Sequence, residues 1–462
     1  MKTVTTSMWK QARALGFVAL FGMAGAMFPV GLLAQSDAGV FGGPSILSRG
    51  TRPIGRSGGR PIRLRANLTF GTAYYGGLTP AGVEQDLSFP NQNGYAGYMG
   101  FGVAGTRETP RSRTSGQYQG LVNLFGNQLR FTGVNQSGQL TYERRINRQL
   151  TAFVAGRGLM YNTVLTGFSP VGYDQPIFDE VTAPQTETFD SRMIQAIGGA
   201  GLTYQKSARL SFSVLGAAGL QRRKSRALVD SNVYLASGEV NYRLSRRTAI
   251  GANYMFMDIF HRRGYGESYA HTYMATFQRT LSQHWDIGLG AGALRMESDR
   301  LQTVQVDPLV RALTGQSSAL VAFHGVFWGM AGRASLNGNF RTSSTSFSYD
   351  RGANPGNGFV LSGQMERYRA SYNYSGIRRA SLGVFAMRVR FIPVLQAFNV
   401  RDYKSTGAGA SFGYRLTNFL HFTSTAQYIR GTTTAATNFQ RDRYVLTVGL
   451  ALQPGEVPLV LW

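Results

Sequence analysis

From about residue 64 to the C-terminus, apolar and polar positions alternate with a period of two, and the helical period is almost absent. In 64–74, Leu64, Ala66, Leu68, Phe70 and Tyr74 oppose Arg65, Asn67, Thr69 and Gly71. In 194–204, Ile194, Ala196, Gly198, Ala200, Leu202 and Tyr204 oppose Gln195, Gly199, Gly201 and Thr203. In 234–244, Tyr234, Ala236, Val240, Tyr242 and Leu244 oppose Ser237, Glu239, Asn241 and Arg243. In 444–452, Tyr444, Leu446, Val448, Leu450 and Leu452 oppose Thr447 and Gly449. Each run is about ten residues, which as a strand tilted near 45° reaches across a bilayer core.

The connections repeat as well. QLTYERRINRQLTAFVAG (139–156), GLTYQKSARLSFSVLG (201–216), EVNYRLSRRTAIGANY (239–254) and SFGYRLTNFLHFTSTAQY (411–428) share one form. A strand ends in Tyr, a short polar or basic turn follows, and a new alternating strand begins. TFQRTLSQHWDIGLGAG (276–292) and SYNYSGIRRASLGVFA (371–386) are variants, and further turns are expected at Thr106–Arg113 and Gly329–Arg333. Longer, more variable loops lie between them at 76–94, 161–190, 298–316 and 391–404. Short turns on one side, long loops on the other and aromatic strand ends are the pattern of a transmembrane β-barrel. A sheet in lipid must close on itself, because each backbone N–H and C=O needs a partner there. Eight short turns join nine hairpins, so the expected fold is all-β: one antiparallel up-and-down barrel of about 18 strands. Without the Gly329 turn the number is 16. An even count puts both termini on the short-turn, periplasmic side.

Composition agrees. Only 15% of the 462 residues are charged and 58 are Gly, whereas soluble domains average about 25% and about 7%. There is no Cys, which excludes disulfides, thiolate metal sites, Cys nucleophiles and a lipidated Cys. A hydrophobic share of 43%, rich in Tyr and Phe, is far from that of a disordered chain.

Lys2, Lys10 and Arg13 precede an uncharged apolar run from Ala14 to Ala34, followed by Gln35-Ser36-Asp37. This is the layout of a secretory signal peptide over 1–34, cleaved after Ala34, although Leu32 departs from the small residue preferred before a cut. An uncleaved anchor is the alternative; Pro29 and the turn-rich segment beyond favour cleavage. Residues 35–63 form a Gly/Pro/Arg-rich stretch with Arg49, Arg52, Arg56, Arg60 and Arg63 and no acid among them. Such a run can bind nucleic acid. In an exported chain it is read instead as a periplasmic tail or partial plug, with no nucleic-acid partner. The barrel proper spans 64–462.

These features together resemble a Gram-negative outer-membrane β-barrel of porin-like build, the likeness covering roughly 64–462. No motif ties the chain to one characterised porin family. Such barrels carry an assembly signal in the last strand, which Thr447, Gly449, Leu452 and the terminal Trp462 resemble. The departure is Gln453-Pro454-Gly455-Glu456, which stands between strand and terminus. The resemblance implies residence in the cell outer membrane, contact with its lipid and lipopolysaccharide, and handling by the barrel-assembly machinery. Oligomeric state is left open.

Chemistry is sparse. Outer-membrane enzymes that cleave lipid acyl chains resemble one another in a His two residues before a Ser on one strand face. None of His261, His271, His284, His324 or His421 has that Ser, and only His421, with Thr423, comes close. No catalytic, cofactor or metal site is expected. The loop 161–190 holds Asp174, Asp179, Glu180, Glu187 and Asp190. Carboxylates suit Ca²⁺ or Mg²⁺, but the spacing fits no defined calcium loop. This loop follows the fifth strand, and in general porins the third long loop is similarly long and acidic and narrows the pore. It either does so here or folds over the outer mouth. Arg222, Arg223, Lys224 and Arg226 sit at an outward strand end, where guanidinium forks suit lipopolysaccharide phosphates. FIPVLQAF (391–398) is an apolar loop that could be a strand extension, an inward plug or a contact site.

By alternation, Arg65, Arg243, Arg367, Arg369 and Arg415 line the lumen with His421 and the acids Glu143, Glu239 and Asp286. The opposite phase would put these charges in lipid, where Arg at the midplane costs about 2–4 kcal/mol. Glu366 points outward, so its strand holds a bulge or Glu366 sits at the rim. The expected function is a passive, weakly anion-preferring channel for small hydrophilic solutes. The alternatives are a carrier of apolar solutes resembling the fatty-acid channels, a non-conducting structural or adhesive barrel, and a lipid-modifying enzyme.

Overall fold

The structure, a computed structural model, describes residues 62–78, 92–126, 133–161, 192–225, 228–262, 266–305, 311, 315, 318–356, 361–394, 402–434, 439–453 and 456–459. In chain order the strands begin with β1 (Ile62–Leu78), β2 (Gln92–Glu108), β3 (Ser112–Phe125), β4 (Gly133–Arg145), β5 (Leu150–Tyr161) and β6 (Met193–Gln205). They continue with β7 (Leu210–Arg223), β8 (Ser231–Arg243), β9 (Thr248–His261), β10 (Gly266–Thr280), β11 (Trp285–Gln305) and β12 (Ser318–Asn339). The last are β13 (Ser343–Asn354), β14 (Gly363–Ile377), β15 (Ala380–Pro393), β16 (Asp402–Arg415), β17 (Leu420–Thr434), β18 (Phe439–Leu452) and a short β19 (Glu456–Leu459).

From β1 to β18 each strand pairs antiparallel with the next, and β1 pairs with β2 on one side and β18 on the other, from Leu68↔Leu452 to Gly76↔Tyr444. The sheet is therefore closed, with 18 spanning strands among the described residues. β19 pairs Ile62–Arg65 of β1 with Leu459–Glu456, so the last strand resumes beyond Pro454. Trp462 lies outside the described residues. Both described ends of the chain stand at the short-turn end.

The turn repeat has a shared cause. Asn147 Oδ1 accepts from the N–H groups of Gln149 and Leu150, at 2.8 and 2.7 Å. Ser207 Oγ does the same for Arg209 and Leu210, and Thr417 Oγ1 for Phe419 and Leu420. Ser245 and Ser282 each take one such N–H, from Arg247 and His284. A side-chain oxygen thus satisfies the donors that the reversal leaves over.

One turn is corrected. Gly329–Arg333 lies inside β12, and the chain reverses at 340–342, where Phe340 N–H donates to Ser343 O at 2.8 Å. The number of short turns is unchanged at eight, at 109–111, 146–149, 206–209, 244–247, 281–284, 340–342, 378–379 and 416–419. Similarly, β11 runs on to Gln305 through the start of the expected 298–316 loop.

Alternation sorts the two faces. Met99, Leu124, Val154, Val214, Trp328, Val384 and Leu446 are exposed on the outside, and Asn123, Gln195, Ser237, Asn253, Ser298 and Thr447 are buried inside. Apolar side chains on the solvent-facing wall of a closed sheet are what a lipid environment selects. Tyrosines mark both ends of this wall. Tyr142, Tyr204, Tyr242 and Tyr414 are near the short turns, and Tyr74, Tyr95 and Tyr444 cluster near the long loops, with centroids 4.8 and 5.8 Å apart. Val384 stands four residues up β15 from its short-turn end, near mid-wall. Val384→Arg is expected to destabilise the barrel by about 2–4 kcal/mol in guanidinium unfolding from phospholipid vesicles, and Val384→Leu to leave it unchanged.

Candidate functional site

The candidate site is the interior of the barrel, whose inner face changes along its length. Toward the short turns, Gln117, Gln119, Glu239, Asn241, Asp286 and Thr425 are partly exposed. Toward the long loops, Met257, Ile259, Ser268, Leu294, Met296, Tyr403, Arg441 and Arg443 are buried. The interior is thus narrowed at its long-loop half.

Part of that narrowing comes from the β13–β14 hairpin. β13 follows β12 only as far as Gly332↔Arg351, while β13 and β14 stay paired up to Asn354↔Gly363. Above that point the β12–β13 seam is open while β14 stays paired with β15 to Gly363↔Pro393, and the described end of the hairpin packs inward against β10–β12. Ser362 Oγ lies 2.6 Å from Ser268 Oγ of β10, which lies 2.8 Å from Ser298 Oγ of β11. Gln364 Nε2 donates to Met330 O of β12 at 2.8 Å, and Arg351 donates to Gln364 Oε1 at 3.1 Å. Gly329 makes room for this, since a Cβ there would stand 2.9 Å from Gln364 Nε2 and 2.7 Å from the Phe327 ring. Ala353 joins an apolar inner cluster with Met257, Ile259, Leu294 and Met296, against which Val394 also packs.

Beneath the tip stands an ion cluster. Asp350 Oδ1 takes Arg333 Nε at 3.2 Å and Asp350 Oδ2 takes Arg367 Nη2 at 3.0 Å. Arg367 is buried and the other two are only partly exposed. Two guanidinium groups around one carboxylate leave a surplus positive charge on this wall. Arg369 follows on the same face of β14, Arg157 faces inward from β5, and Arg441 and Arg443 from β18. Arg441 Nε donates to Gly77 O at 2.8 Å, across the β1–β18 seam.

The sequence-derived residues fall as follows. Arg65 and Glu239 lie on the inner face, and Glu239 accepts from Ser213 Oγ at 3.3 Å. Arg367 and Arg369 are inner-face residues of the long-loop half. Arg243 and Arg415 have inner-face phase but end their strands at the short-turn rim, and Arg243 donates to the carbonyls of Ser245 and Arg246. They stand apart from the narrowed half, so the basic residues assigned to the lumen lie in two groups. His421 lies opposite Arg415, and Thr423 Oγ1 donates to Gly449 O. Glu366 sits on the outer face near the long loops without a bulge beside it, accepting from Tyr349 and Tyr368.

The basic run at 222–226 is split by alternation. Arg222 points outward and donates to Asn232 Oδ1 at 2.6 Å, whereas Arg223 is buried inside and donates to Val229 O. The four residues therefore do not make one outward patch; Lys224 is exposed and Arg226 lies outside the described residues. Phe391 and Pro393 of the apolar 391–398 segment extend β15 and are buried. Asp174, Asp179, Glu180, Glu187 and Asp190 lie outside the described residues, as does 1–61. Sequence reasoning missed Arg333, Asp350, Arg157, Arg441 and Arg443. The alternation of 444–452, continued upstream, finds the last two.

No protein-family model matches the chain, and no curated protein matches it. Solved structures of similar shape include a BenF-like porin from Pseudomonas fluorescens Pf-5, with a TM-score of 0.41 and 12% identity over 84% of this chain and 99% of that one. Pseudomonas aeruginosa OccK2 (OpdF) gives 0.40 and 12% over 85% and 98%, and OpdO of the same organism 0.41 and 12% over 85% and 97%. At this level of likeness nothing about solutes passes from those proteins to this chain. Its own closed sheet, apolar outer face and polar inner face make it a barrel of porin-like, outer-membrane build.

The inward tip yields a direct check in a chain without cysteine. Oxidised Ser268→Cys/Ser362→Cys is expected to form an internal disulfide, read as loss of both free thiols to maleimide labelling of the denatured protein, with each single variant fully labelled. Two free thiols under oxidation would place the tip elsewhere.

Proposed function

We propose that this protein is a passive outer-membrane channel for small hydrophilic solutes, narrowed at its long-loop half and weakly anion-preferring. The observation that carries the reading is the inner-face Arg333–Asp350–Arg367 cluster under the inturned β13–β14 tip. Solutes are selected by size at the narrowing and by charge on the wall, with no catalytic step. Arg65, Arg157, Arg369, Arg441 and Arg443 set a positive bias against Glu143, Glu239 and Asp286. Residues 1–34 export the chain, 35–63 form a periplasmic tail or partial plug, and 64–462 span the membrane after passage through the assembly machinery. The acidic loop 161–190 either narrows the pore, which lowers the anion preference, or folds over the outer mouth.

The apolar inner cluster on β9–β11 favours a second reading, a conduit for apolar solutes. Against it, Ala353 of the hairpin and Val394 already pack on that cluster, which leaves the arginine-bearing wall for the solute path.

The test is the zero-current potential of purified protein in a planar bilayer under a KCl gradient. A modest anion preference is expected, and Asp350→Asn, which frees two guanidinium groups, is expected to raise the anion-to-cation permeability ratio about two- to threefold. Clear cation selectivity that persists after deletion of 166–188 would overturn the wall assignment.

A further inference from the structure

One arc of the outer wall carries a cluster of cations where lipid contact alone would call for apolar side chains. On β15, β16 and β17 the outward residues Arg388, Arg390, Lys404 and Arg430 are all exposed or nearly so. They stand eight, ten, eleven and ten residues from the short-turn ends of their strands. At about 3.3 Å per residue and about 40° of tilt, that height matches the upper edge of an apolar band about 25 Å tall. Below them on the same wall lie Ala386, Ala408 and Tyr428, and beside them Tyr349 and Tyr368.

The cations outnumber what balances them. Asp402 serves both Arg390 and Lys404, at 3.5 and 3.0 Å, and Asp442 lies 3.7 Å from Arg430. Glu366, opposite Arg390 and Arg351, takes the phenol groups of Tyr349 and Tyr368. Arg388 has no ion pair among the described residues. A second arc, β9–β11, three strands away beyond β12–β14, has the opposite balance at similar height, with Asp258, Glu267, Glu297 and Asp299 facing out beside Arg295. A positive surplus confined to one arc fits a discrete anionic partner better than an evenly charged leaflet.

The geometry points to a binding site on the outer wall for a phosphorylated glycolipid of the outer leaflet, held by Arg388, Arg390, Lys404 and Arg430. Its phosphates meet guanidinium and ammonium groups at headgroup height, and its acyl chains lie along the alanine-rich wall below. The site rests on the reading of the chain as an outer-membrane barrel with its long loops outward, and is separate from the lumen.

The test is native mass spectrometry of the full-length, detergent-solubilised protein titrated with purified lipopolysaccharide, alongside the same lipid after enzymatic dephosphorylation. Arg388→Gln/Arg390→Gln/Lys404→Gln/Arg430→Gln is expected to bind about tenfold or more weakly. Removing the phosphates is expected to weaken wild-type binding comparably. The charge-keeping Arg388→Lys/Arg390→Lys/Arg430→Lys is expected to retain binding, and heat-modifiable gel mobility reports folding of each variant. Equal wild-type affinity for both lipids, or undiminished binding by the folded Gln variant, would overturn the site. So would a Gln variant whose only change is loss of a dimer or trimer, since the arc would then meet the acidic arc of a second copy. Single-channel conductance of the same proteins tests the channel reading independently.

Discussion

In hydrocarbon, a backbone N–H or C=O without a partner costs several kcal/mol, and this requirement shapes the whole molecule. It is met by joining β1 to both β2 and β18, so that the spanning sheet has no free edge. Once the sheet is closed, each strand has one face in lipid and one inside, and the phase of every strand is fixed. A slip of one residue would turn a whole row of arginines into lipid. The seam itself is reinforced by Arg441, which reaches across to Gly77 O.

Strict phase decides what neighbouring residues can do together. Arg222 and Arg223 are adjacent in sequence and opposite in environment, one bonded to an outer-face Asn and the other buried inside. Conversely, Arg333, Asp350 and Arg367 are distant in sequence but share a face on three consecutive strands, where they form one ion cluster. The same logic separates an arginine-bearing interior from a second set of cations on the outer wall. Charge identity alone distinguishes neither; strand phase and height do.

Much of this was legible in the sequence because the repeated turns advertise themselves. Tyr at the strand end, a basic reversal and a Ser, Thr or Asn that binds the next N–H groups recur at fixed spacing. The turn at 340–342 lacked that signature, and the glycines of Gly329–Arg333 imitated a turn while making room for Gln364 inside a strand. That substitution hid Arg333. Asp350 escaped because the Ser-rich 343–354 strand has little apolar contrast, and Arg441 and Arg443 because the strand was begun too late, at Tyr444. The inturned β13–β14 tip had no local signal at all. It depends on Ser362 meeting Ser268, 94 positions away in the chain.

The most direct test of the sidedness on which everything else rests is a nitroxide scan along β15 in reconstituted vesicles. The absence of cysteine allows single labels at 382 through 387 without background. Collisions with lipid-soluble oxygen should peak at 382, 384 and 386 and fall at 383, 385 and 387. Uniform accessibility, or maxima at the odd positions, would contradict the barrel's assignment of lipid and interior faces.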